Sequence, residues 1–270
     1  MTTPKVYGAP RRCIYCGDPH YTKNDSLAKL GDEHIIPLAF GGNLLLPEAS
    51  CRECERITSR LETHCIEQMV RDTREHLGLR ARRHKRNRKT LSVSIDRGSG
   101  FQTERVAMRD HPAALFMFSF DPPRLLFGAS DPDGAFAGRI AMRAMTDDLG
   151  ARSMRLGGKV NLVRRGGFDA PIFGRMLAKI AHSFATAELG LGGFRPLLND
   201  LILGKPTRHA AQFVGGTFEP EAKGQERNEI TISLMLAVFR DYYVVRLRLF
   251  ADLEMPSYLI VAGEPLIQAP

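Results

Sequence analysis

An α+β fold is predicted for this 270-residue chain by three observations. Two Cys-x-x-Cys pairs, Cys13/Cys16 and Cys51/Cys54, bracket a stretch with the signals of a hairpin. Helical spacing begins directly after the second pair. Beyond residue 90, stretches of strand-like alternation flank one long apolar helix. The expected organisation is a strand–strand–helix unit with a basic arm over 1–90, then a larger α+β domain with antiparallel strands over 91–270.

Composition sets the outer limits. Hydrophobic residues make up 43% and charged residues 25%, an ordinary globular balance that excludes wholesale disorder. No window approaches the roughly 18 consecutive apolar residues of a membrane span. The first residues, Met1-Thr2-Thr3-Pro4-Lys5, lack the apolar core of a secretory signal. A cytoplasmic protein with no membrane partner is expected.

The four paired cysteines lie in the first fifth of the chain, with 34 residues between the pairs. A reducing compartment disfavours disulfides. Two Cys-x-x-Cys turns instead suit a four-thiolate zinc ion, each turn presenting two sulfurs about 2.3 Å from the metal. Such a zinc is structural, because four thiolates leave it no open position. The separation exceeds the roughly 15–20 residues of a compact zinc ribbon, so a sizeable insert is required. Cys65 is left over as a core thiol.

That insert runs Gly31-Asp-Glu-His-Ile-Ile-Pro-Leu-Ala-Phe-Gly-Gly-Asn-Leu-Leu-Leu-Pro47. Two short apolar runs, around Ile35–Ile36 and Leu44–Leu46, flank a turn holding Gly41-Gly42, which predicts two strands and a loop. Ser50 and Glu53 have the spacing of a capping box. Ile57, Leu61, Cys65, Ile66, Met69, Val70 and Leu77 then recur mostly at three- and four-residue steps. Gly78 is the expected stop. Zinc would fasten the base of the hairpin to the helix.

Glu33-His34-Ile35-Ile36-Pro37, then Gly41-Gly42-Asn43-Leu44, then Cys51-x-x-Cys54 opening a helix resembles the zinc-containing branch of the HNH (ββα-metal) endonucleases. The resemblance covers about residues 11–65. It implies a metal-dependent nuclease acting on DNA rather than RNA. It also implies that Glu33 ligates a catalytic magnesium or manganese ion, that His34 is the general base, and that Asn43 braces the turn and orients the histidine. The chemistry suits these residue types. A neutral imidazole with a pKa near 6.5 can take a proton from water, while a cation offsets charge building on the phosphate. Asp32 is a fallback ligand, and Asn43 also reads as an ordinary turn asparagine.

One position departs from the pattern. Related sequences carry Asn or His directly after the second Cys-x-x-Cys, where this chain has Glu55. A carboxylate is a good hard-oxygen ligand, so Glu55 reads as a second ligand of the catalytic cation. It also reads as an acid of the first helical turn, favoured by the helix dipole. A site degraded at this position leaves a zinc-containing nucleic-acid-binding or adaptor protein without turnover.

Charge points towards a polyanion. The chain carries a formal +8, and residues 71–90 alone hold nine basic and two acidic side chains. The candidate phosphate contacts of this arm are Arg82, Arg83, Lys85, Arg86, Arg88 and Lys89; a solvated linker is the alternative. Arg56 and Arg60 continue the set on the helix, where they either meet phosphates or pair with nearby glutamates.

Beyond residue 90 the elements are legible but their purpose is not. Leu91–Ile95 alternates as a strand, with 101–108 as its partner. Asp169-Ala-Pro opens a helix with an Asp cap and Pro in its first turn, ending at Gly190. His182, within its apolar face, reads as structural. A short helix is expected over 196–203, and strands over 230–239, 242–250 and 257–261.

Overall fold

The computed structural model describes residues 4–22, 28–79, 89–128, 135–146, 148–162, 167–206, 209–217 and 232–266. Its first unit comprises β1 (Lys5–Val6), β2 (Gly31–His34), β3 (Leu44–Ser50) and α1 (Arg52–Cys65). The sheet order is β1-β3-β2, with β2 antiparallel and β1 parallel to β3. Glu33 stands opposite Leu46 and His34 opposite Leu45, and the register shifts between Gly31 and Glu33 as at a β-bulge.

The two glycines of the connecting loop have separate duties. Gly41 ends a single 3-10 turn, Leu38–Phe40, at φ 89°, a left-handed value that favours glycine. Gly42 packs against the main chain: a Cβ there would lie 2.1 Å from the Ile36 carbonyl oxygen.

α1 buries Cys54, Thr58, Leu61 and Cys65, one stripe at four- and three-residue steps. The expected capping box is not formed. Cys51 is the cap residue and makes no side-chain cap bond, while the Ser50 hydroxyl donates to the Gly31 carbonyl at 3.5 Å. A π-helical turn (Ile66–Val70) and the short α2 (Thr73–His76) follow, and Gly78 stops the run at φ 63°.

The rest of the chain adds β4 (Thr90–Asp96), β5 (Phe101–Ala107), β6 (Ala114–Phe120), α3 (Arg124–Phe127), β7 (Gly138–Ala144), α4 (Leu149–Arg155) and β8 (Lys159–Asn161). It continues with α5 (Ala170–Leu189), β9 (Phe194–Pro196), α6 (Asn199–Leu203), β10 (Val214–Gly216), β11 (Ser233–Phe239), β12 (Tyr242–Arg248) and β13 (Ser257–Pro265). β4 lies between β5 and β8, β6 pairs with β7, and a five-stranded sheet runs β10-β13-β12-β11 with β9 also on β13. All of these pairings are antiparallel. The fold is therefore mixed α+β. Among the described residues no helix is long and apolar enough to cross a membrane.

α5 organises the whole. Asp169 caps it, accepting the Ile172 N–H at 2.9 Å, and Gly190 ends it. It is buried on nearly every side, packing against α1 on one flank and against β12 and β13 on another. Phe173 meets Tyr258 edge-on, and Phe40 of the hairpin loop lies against Phe250. The two segments expected to separate at residue 90 thus share one continuous core. The reason is physical: a three-stranded sheet and one helix bury little apolar surface alone, and α5 supplies the missing face.

Candidate metal centre and the acidic cleft beside it

Two tight turns bring Cys13, Cys16, Cys51 and Cys54 together. Cys13 N–H donates to the Asp18 carbonyl at 2.8 Å and Gly17 N–H to the Cys13 carbonyl at 2.8 Å, which folds the first knuckle. The second knuckle is the first turn of α1. All four sulfurs lie within 4.8 Å of one another, and Cys16 Sγ is 3.7 Å from Cys51 Sγ. Tetrahedral bonds of about 2.3 Å place sulfurs about 3.8 Å apart, so the spacing fits a zinc ion. Ionisation is unevenly shared among these thiols. A hydrogen bond with Cys54 and main-chain N–H groups pull Cys13 down to about 5, while burial pushes Cys16 up to about 11. Four sulfurs this close ionise together only around a cation, and four thiolates close its coordination.

Beside this centre, β2 and α1 enclose a cleft of about 220 Å³. Its lining includes Asp32, Glu33, His34, Glu55, Thr58, Glu62 and Arg74. Three of the residues expected to carry chemistry, Glu33, His34 and Glu55, therefore share one opening. Their partners differ from expectation. Glu33 is 5% exposed and forms an ion pair with Lys179 of α5, whose ammonium also lies 2.7 Å from Glu62 Oε1. Glu55 Oε2 accepts the Tyr21 hydroxyl at 3.0 Å. Asp32 Oδ1 accepts the Glu48 N–H at 3.2 Å.

Glu33 and Glu55, the residues expected to hold a magnesium or manganese ion, both line this cleft. Among the described residues, the four cysteines are the only group of three or more potential ligands within 4.8 Å of one another. Burial and the nearby Glu62 push the Glu33 carboxyl up to about 6, against the opposing pull of the Lys179 ammonium. Arg74, which sequence reasoning passed over, lines the same cleft, and its Nε has no hydrogen-bond partner.

The remaining expected residues lie elsewhere. Asn43 is exposed ahead of β3, where its carbonyl accepts the Lys5 N–H at 3.0 Å; it is not part of the cleft lining. Arg56 and Arg60 are exposed on α1, and Arg56 makes a loose ion pair with Glu53 at 3.8 Å. Lys89 is exposed, and its carbonyl accepts the Met108 N–H at 3.0 Å. Arg82, Arg83, Lys85, Arg86 and Arg88 lie outside the described residues.

α5 also braces the first cysteine knuckle. His182, 1% exposed, has its Nε2 2.8 Å from the Ile14 carbonyl, so Nε2 carries the proton and donates. The Tyr15 hydroxyl lies 3.1 Å from Ser183 Oγ. Burial lowers the His182 pKa to about 4. Because the native value lies below the unfolded one, the neutral ring supports the fold above about pH 6.5, and that support fades as pH falls towards 4. The full effect is about 3 kcal/mol. Urea unfolding of zinc-saturated protein should show this acid loss, and His182→Gln, which keeps a donor for Ile14, should flatten it. Curves of equal steepness for the two proteins would contradict the assignment.

Family models, curated proteins and solved structures yield no match to the chain. What the cleft does is therefore a question for its own side chains.

Proposed function

We propose that the protein is an endonuclease that hydrolyses DNA phosphodiester bonds, with a zinc-stabilised strand–strand–helix module of the HNH type as its catalytic unit. The observation that supports this reading is the meeting of His34, Glu55 and Arg74 at one open cleft, from β2, α1 and α2. A neutral His34 takes a proton from water as the oxygen attacks phosphorus. The bond to the leaving sugar oxygen breaks on the opposite side, and solvent supplies that oxygen's proton. Arg74 is placed to offset charge on the non-bridging oxygens, in the manner of guanidinium–phosphate pairs elsewhere. Arg56, Arg60 and the basic stretch around residues 80–89 add affinity for the flanking phosphates. DNA is favoured over RNA by the sequence resemblance.

A second reading is favoured by one observation: the counter-charge of Glu33 is an ammonium of the protein itself. On that reading the module binds nucleic acid without cutting it. Supercoiled plasmid separates the two. With magnesium or manganese present, and in parallel with chelator, the wild type should nick the plasmid and His34→Ala should not. Absence of nicking by the wild type under every condition would favour the binding protein. Equal nicking by both proteins would remove His34 from the mechanism.

A further inference from the structure

Lys179 is fully buried, yet it lies in the middle of a helix whose buried positions are mostly apolar. Its ammonium contacts Glu33 Oε1 and Glu62 Oε1, donates to the His34 carbonyl, and has the Ile35 carbonyl 3.5 Å away. These four oxygens come from β2, the residue after it, and α1. An ammonium has three N–H donors, and the two carboxylates and the His34 carbonyl satisfy them. A set of carboxylates and main-chain carbonyls is also the donor set that hard divalent cations take.

We propose that Lys179 is the resident cation of this site: an internal ammonium that bridges Glu33 and Glu62 where a divalent ion would otherwise sit. Glu33 is then closed to magnesium and manganese in the native protein. Lys179 also ties the end of β2 to α5, so a side chain 145 residues distant sets the position of the His34 main chain. The residues lining the cleft give such an ion a way in once the ammonium is removed, since both Glu33 and Glu62 face it. This goes beyond the nuclease reading and does not depend on it, because ion binding is measured without cleavage.

The test uses the full zinc-loaded chain. Manganese binding, followed by electron paramagnetic resonance, should be the same for the wild type and Glu33→Gln, and calcium or magnesium should leave the wild-type melting temperature unmoved. Lys179→Ala leaves two buried carboxylates without a counter-charge and opens the space of the side chain. Its melting temperature should fall, then rise with millimolar calcium, magnesium or manganese, with manganese affinity at least tenfold above the wild type's. Lys179→Ala combined with Glu33→Gln and Glu62→Gln should lose that response. Loss of wild-type manganese binding in Glu33→Gln would overturn the proposal, as would a Lys179→Ala protein no more responsive to ions than the wild type. Where Lys179→Ala yields no folded protein, the comparison of wild type with Glu33→Gln decides alone: equal manganese binding upholds the proposal and a loss refutes it.

Discussion

Cys54→Ser should abolish zinc binding by the four-cysteine cluster and unfold more than the segment that carries it. Structural zinc sites in small modules are worth roughly 10–16 kcal/mol, as large as the ~5–15 kcal/mol that stabilises a whole domain. Here the consequence spreads because the knuckle is part of the common core. Ile14 and Tyr15 are buried between the paired cysteines, and both reach α5, through His182 and Ser183. Cys13, Cys51 and Cys54 are themselves buried, so a serine hydroxyl at any of them would sit in an apolar wall with one fewer thiolate for the ion. Elemental analysis should find one zinc per wild-type chain and much less in the variant. Near-ultraviolet circular dichroism should show lost tertiary packing across the chain, not a local change. A variant that keeps its zinc, or melts with the wild type, would mean that the four sulfurs are only neighbours.

The second large effect concerns cleavage. General-base catalysis by a positioned side chain contributes typically 10²–10⁴-fold, so His34→Ala should reduce nicking by that factor while leaving the fold intact. Stability should change little, because the imidazole is only partly buried at the end of β2 and the bonds from Lys179 go to the main chain of His34 and Ile35. The readout is therefore specific to chemistry. A comparable loss of melting temperature and activity would point instead to a structural histidine.

What the sequence revealed and what it concealed follow from where each signal is carried. The knuckles, the hairpin between them and α5 are written in local patterns: paired cysteines, two glycines where only glycine fits, and Asp169 with Pro171 at a helix start. β4 with β5 and the antiparallel strands near the C-terminus were also legible from alternation. The turn at Arg240-Asp241 is left-handed at both residues, as a two-residue hairpin turn needs, although neither is glycine. β6 was not foreseen, since Ala114–Phe120 is apolar on successive residues and lacks the period of a half-buried strand. The capping box failed because Ser50 belongs to β3, and Cys51 of the four-cysteine cluster occupies the cap instead.

The largest surprise lay in the partners of Glu33. Its neighbour in the sequence, His34, shares the cleft as expected, but its counter-charge comes from position 179. A signal was present. A single lysine inside Met176-Leu-Ala-Lys-Ile-Ala-His-Ser-Phe184 can be buried only with acidic company, and Glu33 and Glu62 supply it. What the sequence could not supply is the pairing itself, because it joins segments that meet only through the tertiary fold.

The central claim, that His34 acts as a base within a zinc-built cleft, is tested most directly by chemical rescue. His34→Gly removes the ring and leaves its space, and free imidazole can occupy that space and accept the water's proton. Plasmid nicking by His34→Gly should be nearly absent without imidazole and should return, saturably and with a pH dependence that follows the imidazole pKa, when it is added. Nicking by His34→Gly at the wild-type rate, or wild-type cleavage that imidazole never restores to the folded variant, would contradict the claim.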